Sequence, residues 1–298
     1  MRYLLLDVFT STPLLGNQLA VFTDARGLDG TRMQAIAREM SLSESTFILP
    51  AEESGTDIRM RIFTPATELP MAGHPTIGSA FALAHLGAIA HGQTRFVFGL
   101  NIGPVPVDLE WDGSRLRFAW MTQLPPSFGS VVTERAAVAE ALGLSLDALA
   151  PELPVQEVSC GVPYLLVPLR DRETVDRAVS DAGAFRRLRA AIDINLPIFL
   201  FAATEGRDGT AYSRMFAPSF SIVEDPATGS ASGPLGCYLV EHGVVREEAT
   251  KHIVSAQGVA MGRASRIHIE ITGRPGAITK VRVGGEAVLV GRGELTLE

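Results

Sequence analysis

The chain has 298 residues, 46% of them hydrophobic and 20% charged, with a net charge of −7; this is globular composition, long enough for two domains or one large α/β unit, and it excludes a disordered chain. The 26 basic residues form no dense run, which excludes the electrostatic footprint of a nucleic-acid binder, and no apolar stretch is long enough to span a bilayer. The start "MRYLLLDVFTS" carries Asp7 and too short an apolar run for a signal peptide, so a soluble cytoplasmic protein without a membrane role is expected.

In chain order, "TRMQAIAREM" from Thr31 reads as a surface helix. Next comes "SLSESTFIL", where Glu44 stands before the apolar strand Thr46 to Leu49. Such an acid is a solvated side chain at a strand start, or a capping partner. Turned instead into an apolar cleft, its pKa would climb from about 4.3 towards roughly 6–7, where it can take and return a proton.

The stretch "RIFTPATELPMAGHPTIGSAFALAHLG" (61–87) then reads as strand, loop and helix, and it returns in the second half as "RMFAPSFSIVEDPATGSASGPLGCYLVEHG" (214–243). Arg61 aligns with Arg214 and Pro65 with Pro218 at an offset of 153; Gly73 aligns with Gly229 and Gly87 with Gly243 at an offset of 156. The extra residues therefore lengthen a loop. The helices are expected to begin at Pro75-Thr76 and Ala231-Ser232, where hydroxyls suit the orphan donors of a first turn. They end at glycines placed for a left-handed cap, and interiors almost without charge mark them as buried.

Between and after these copies, "TRFVFGL", "PVPVDLEWD", "RLRFAWM", "YLLVPL", "RIHIEI" and "KVRVGGEAVLVGRGELTL" alternate or are β-rich, while "RETVDRAVSDAGAFRRLRAAI" from Arg172 reads as one more surface helix. Turn formers concentrate in "TQLPPSFGS". The reading is an α+β protein of two lobes, residues 1–122 and 123–285, each a sheet wrapped around one buried helix, with the strand at about 286–298 a candidate to return to the first lobe.

Two helix starts facing one cleft would form an anion clamp, each contributing about 0.3–1 kcal/mol when exposed and up to ~2 kcal/mol when partly buried. Gly73 and Gly229 would let a ligand approach the backbone, with His74 at one start and Ser230 and Asp225 at the other. Taken singly, these residues also have structural readings: a capped helix, a satisfied core histidine, an Asp-Pro turn. Cys160 and Cys237 are far apart in sequence and lack metal-ligand spacing, so no metal site and no disulfide framework is expected; they read as small buried apolar residues.

"DVFTSTPLLGNQLAVF", "SESTF", "TPATELPMAGHPTIGSAFAL" and "VEDPATGSASGPLGCYL", with "CGVPYLLVPL" and "QGVAMGR", resemble in order and spacing the PhzF-like family of phenazine-biosynthesis isomerases over essentially the whole chain. The resemblance implies the diaminopimelate-epimerase fold, two pseudo-symmetric lobes with a cleft between them, in a homodimer that uses no cofactor. It also implies that Glu44 is the acid/base, His74 and Asp225 its polar partners, Gly73, Gly229 and Ser230 the substrate-facing helix starts, and Asn17 a ligand contact. In the related epimerases and proline racemases two cysteines occupy the helix starts; here His74 and Ser230 stand there, which removes two-thiol racemisation and points to isomerisation of a small unsaturated carboxylate by one carboxyl.

Two other readings remain open at this point. A binder that keeps the clamp without catalysis would bind candidate acids but exchange no protons with solvent. A serine hydrolase built on Ser230, His74 and Asp225 would react with a fluorophosphonate, but "ATGSASG" lacks the G-x-S-x-G elbow.

Overall fold

Strands of alternating burial open the first part of the chain, as in β1 (Arg2–Val8) and β2 (Asn17–Phe22). In the computed structural model, which describes residues 1–193, 195–204, 210–220, 222–246 and 249–297, the chain divides into two units: Met1–Thr122 with Arg282–Glu298, and Gln123–Val281.

In the first unit, β1 pairs antiparallel with β2; α1 (Gly30–Met40) crosses over to β3 (Glu44–Pro50), which lies parallel to β2. Next come β4 (Ile58–Phe63), antiparallel to β3, and the short β5 (Glu68–Leu69). The chain then passes through α2 (Gly73–His85) to β6 (Arg95–Leu100), parallel to β4, and on through β7 (Gly103–Asp112) to β8 (Arg115–Gln123). Alternation sorts the two faces of β2. Ala20 and Phe22 join Met33, Ile36, Phe47 and Phe63 beneath α1, whereas Leu19 points at α2, where a Cβ on Gly78 would meet Leu19 Cδ2 at 2.6 Å and Val8 Cγ2 at 2.7 Å. Glycine at that point lets the buried helix lie directly on the sheet.

The second unit runs through β9 (Ser127–Val132), α3 (Arg135–Ala141), β10 (Val155–Ser159), β11 (Pro163–Pro168), α4 (Arg172–Arg177), α5 (Ala182–Ile192), β12 (Ile198–Ala203), β13 (Ala211–Ala217), β14 (Ile222–Asp225), α6 (Gly229–Glu241), β15 (Thr250–Gln257) and β16 (Ser265–Arg274). The unit boundary falls within β17 (Ala277–Gly285), and β18 (Ala287–Glu294) pairs antiparallel with β1 of the first unit. The pairings repeat those of the first unit in sequence and sense: β10/β11 antiparallel, β11/β12 parallel, β12/β13 antiparallel, β13/β14 antiparallel, β13/β15 parallel, β15/β16 antiparallel.

Side chains repeat as well as strands. Arg61 on β4 makes a bidentate pair with Glu68 on β5, Nε to Oε1 at 2.8 Å and Nη2 to Oε2 at 2.7 Å; Arg214 on β13 makes the same pair with Glu224 on β14, both contacts at 2.8 Å. Each guanidinium also lies over the phenylalanine two residues on, Phe63 at 5.1 Å and Phe216 at 4.7 Å. One consequence is that Glu224, the first of two adjacent acids, is a structural ion-pair partner, which leaves Asp225 with different work.

The structure corrects three local expectations. The buried helices begin at Gly73 and Gly229, two residues earlier than predicted, and neither has a side-chain cap. The hydroxyls taken for caps bond backwards instead: Thr76 Oγ1 donates to the Ala72 carbonyl at 2.7 Å and Ser232 Oγ to the Thr228 carbonyl at 2.9 Å, the i−4 pattern of Ser and Thr inside a helix. The single surface helix expected from Arg172 is two helices, α4 and α5, because Ala178 is extended (ψ 142°) and Asp181 starts a new turn by accepting from the Ala184 amide. The helix α3 was not anticipated.

Candidate active site

In the first unit the structure brings Glu44, His74 and Asn17 together. Glu44 opens β3, and alternation along the strand puts it on the same side as Thr46, whose Oγ1 lies 3.0 Å from Ser79 Oγ on α2. Five residues before Ser79, in the first turn of α2, His74 presents Nε2 to Glu44 Oε2 at 3.2 Å. The Glu44 side chain is 12% exposed and that of His74 4%. Asn17, the first residue of β2, places its Nδ2 3.2 Å from His74 Nδ1.

The segment leading into Asn17 is conformationally costly: Phe9, Leu14 and Gly16 have φ of 63°, 68° and 70°. Asp7, buried at the end of β1, accepts the Leu14 amide at 2.7 Å and so holds this turn. A left-handed backbone at a non-glycine residue costs on the order of 1–3 kcal/mol, which the fixed ends of β1 and β2 sustain.

Burial pushes the His74 imidazole below its ordinary range, from 6.5 to about 3, against a backbone hydrogen bond at Gln18 that works the other way. The ring is therefore neutral at pH 7, with one nitrogen donating and one accepting. That matters for Glu44. An imidazolium would hold the carboxylate ionised, whereas a neutral ring places no full positive charge beside it; the 3.2 Å Nε2–Oε2 contact itself lies outside hydrogen-bond geometry.

The second unit offers no equivalent acid at that position. Ser45 pairs with Phe63 and Ile198 with Phe216, so the residue matching Glu44 is the one before Ile198, Pro197. Ser230, which matches His74, bonds a phenol: its Oγ and the Tyr164 hydroxyl are 2.6 Å apart, and Tyr164 is not a base for a serine nucleophile at neutral pH. Asp225 is 5% exposed at the end of β14. Thr228 Oγ1 donates to its Oδ2, and Gln257 bonds both Asp225 and Thr228. Gly73 and Gly229 are the buried first residues of α2 and α6.

Tyr164, Thr228 and Gln257 were missed as site residues in the sequence. Tyr164 and Gln257 do lie in the quoted motifs "CGVPYLLVPL" and "QGVAMGR", and the first and last residues of a polar turn are natural places to look for partners. Cys160 and Cys237 are buried in the second unit as expected, but their sulfurs are 3.8 Å apart, a contact that a sequence separation of 77 conceals. Among the described residues, no cluster of three or more His, Cys, Asp or Glu has the geometry to hold a metal ion, and no helix is long and apolar enough to cross a membrane.

The sequence matches the family profile of phenazine biosynthesis-like proteins, PhzC-PhzF, over residues 6–293. It is 36% identical over 297 residues to the trans-2,3-dihydro-3-hydroxyanthranilate isomerase of Pseudomonas fluorescens, covering 99% of each chain. The crystal structure of a Bacillus anthracis phenazine biosynthesis protein of the PhzF family superposes with a TM-score of 0.90 at 26% identity, covering 100% of this chain and 99% of that one. A hydroxyproline epimerase from Agrobacterium vitis shares the fold alone, with a TM-score of 0.65 at 15% identity over 99% of this chain and 90% of that one.

Proposed function

The chain belongs to the PhzC-PhzF family and is an isomerase, and from that premise we propose that it moves a proton within a small unsaturated carboxylate, with Glu44 as the only acid/base and no cofactor. The observation that carries this reading is the Glu44–His74 pair: a nearly buried carboxyl 3.2 Å from a neutral ring, in the one unit of a duplicated fold that has an acid at that position.

In this reading the Glu44 carboxylate takes a proton from an allylic carbon. The C–H electron pair spreads over the adjacent double bond and carboxylate, and the same carboxyl returns the proton to a carbon further along, so the double bond shifts and nothing is consumed. His74, neutral beside Glu44, lets the carboxyl gain and lose the proton without a fixed cation opposite it. Within the first unit, the uncapped start of α2 at Gly73 offers amides to negative charge and Asn17 keeps the His74 ring in place; within the second, the uncapped start of α6 at Gly229 with Ser230 offers amides in the same way and Asp225 orients polar substituents.

The name of the Pseudomonas relative supplies the probe. Trans-2,3-dihydro-3-hydroxyanthranilate incubated with the protein in deuterium oxide is expected to incorporate deuterium at carbon and to change its double-bond pattern by NMR. Binding of this acid and of related β,γ-unsaturated acids with neither deuterium exchange nor a shifted double bond in any of them would overturn the reading in favour of a binding protein.

A further inference from the structure

The motif "QGVAMGR" has no part in the chemistry above, yet its first residue is among the most thoroughly bonded polar side chains of the second unit. Gln257 is fully buried at the end of β15. Its Nε2 donates to the Asp225 carbonyl at 2.8 Å and to Thr228 Oγ1 at 3.0 Å, while its Oε1 accepts the Thr228 amide at 3.0 Å. One carboxamide thus spans both ends of the turn Asp225-Pro226-Ala227-Thr228. Thr228 Oγ1 passes the contact on to Asp225 Oδ2.

The middle of that turn is held from the same hairpin. Gln257 pairs across the ladder with Ser265, the first residue of β16, and Ser265 Oγ lies 3.1 Å from the Pro226 carbonyl and 2.9 Å from that of Arg263. Gly258 has φ 74°, and a Cβ there would fall 2.4 Å from the Pro226 carbonyl oxygen, so the hairpin closes against the turn with no room for a side chain. The Arg263 amide donates to the Gly258 carbonyl at 3.0 Å and closes the loop.

We propose that Gln257 is a positioning residue that fixes the Asp225 carboxyl through the Thr228 hydroxyl, and that the β15–β16 hairpin end is the support on which the Asp225 turn is built. This rests on Asp225 acting in the proposed isomerisation. Only a carboxamide does the work observed, two donated bonds and one accepted at a single side chain. Rotation of the turn on the scale of ~1 Å would misplace the carboxyl by enough to cost about 10²-fold in turnover.

The test is a double-mutant cycle with the probe acid of the preceding section. Q257M keeps the side-chain length and removes all three bonds. It is expected to lower kcat by about 10–100-fold with KM within about threefold, but to lower it by less than about threefold when added to D225N, because the residue acts through Asp225. T228V, which keeps the shape and removes the linking hydroxyl, is expected to give the same non-additivity and serves if Q257M folds poorly. Equal losses in both backgrounds, or an unimpaired Q257M beside an impaired D225N, would overturn the inference alone. Full turnover by D225N would instead remove Asp225 from the proposed function, and the inference with it. Independently of any substrate, amide hydrogen exchange at Thr228 is expected to accelerate at least tenfold in Q257M at unchanged global stability; unchanged protection would overturn the proposal.

Discussion

Replacing Glu44 by Gln separates proton transfer from packing, because it removes an ionisable oxygen and keeps the shape of the side chain. Glu44 Oε2 faces Nε2 of a neutral ring at 3.2 Å. Gln keeps the shape, and the parent contact lies outside hydrogen-bond geometry, so no hydrogen bond to the ring is lost and folding stability is expected to change by less than about 1 kcal/mol. Turnover is a different matter. A positioned general acid–base contributes about 10²–10⁴-fold, which is ~3–5 kcal/mol of barrier, and the second unit has Pro197 at the matching place, so no paired acid substitutes. The assay is NMR of the probe acid in deuterium oxide, following carbon-bound deuterium and product together, with a urea midpoint to confirm that E44Q is as folded as the parent. Exchange by E44Q within a few-fold of the parent rate would show that the proton travels by another route and would refute the assignment.

His74 makes stability depend on pH: the unfolded ring protonates near 6.5 and the folded ring near about 3, so the unfolded state binds more protons between those values and stability falls as pH drops through that window. In the E44Q background, where no carboxylate faces the ring, H74Q is expected to remove up to about 1.4 kcal/mol per pH unit of that slope in urea titrations between pH 6.5 and 4; an unchanged slope would contradict the neutral ring. The Cys160 thiol beside it and burial push the Cys237 thiol far above its ordinary range, so a thiol-reactive disulfide reagent is expected to label neither cysteine in the native protein and both after unfolding, and rapid native labelling would count against the contact. The two matched ion pairs differ in setting: the Arg214 and Glu224 side chains are 10% and 14% exposed against 24% and 25% for Arg61 and Glu68, and Arg214 Nη1 also donates to the Val175, Asp176 and Ala178 carbonyls. R214A is therefore expected to cost about 3 kcal/mol and R61A about 1 kcal/mol in chemical denaturation, and equal costs would refute the ranking.

The duplicated plan is readable in the sequence because its markers are chemically exacting: an arginine that must reach a carboxylate on the next strand, a phenylalanine beneath it, and small residues where a helix lies on a sheet. Arg61 and Arg214, or Gly73 and Gly229, can be aligned without coordinates. Glu44 also stands out, as an acid at the threshold of an apolar strand. Contacts between distant segments leave no such mark. Neither the parallel pairing of β2 with β3 and β11 with β12 nor the approach of Cys160 to Cys237 follows from any local pattern, since both depend on crossovers. The helix starts were misplaced for a local reason: a hydroxyl at Thr76 or Ser232 is equally suited to cap a helix or to bond back into one, and only the position of the Ala72 and Thr228 carbonyls decides.

The pairing of β18 with β1 sets a schedule for biosynthesis. Residues 1–122 leave the ribosome long before 287–294, and at roughly 5–20 residues per second the about 160 residues of the second unit take about 8–30 s to make. Throughout that interval the outer side of β1 has no neighbour to complete it, and an open strand edge invites pairing with other nascent chains. The second unit, continuous in sequence, can finish first, so the half of the protein that holds Glu44 and His74 is the last to close.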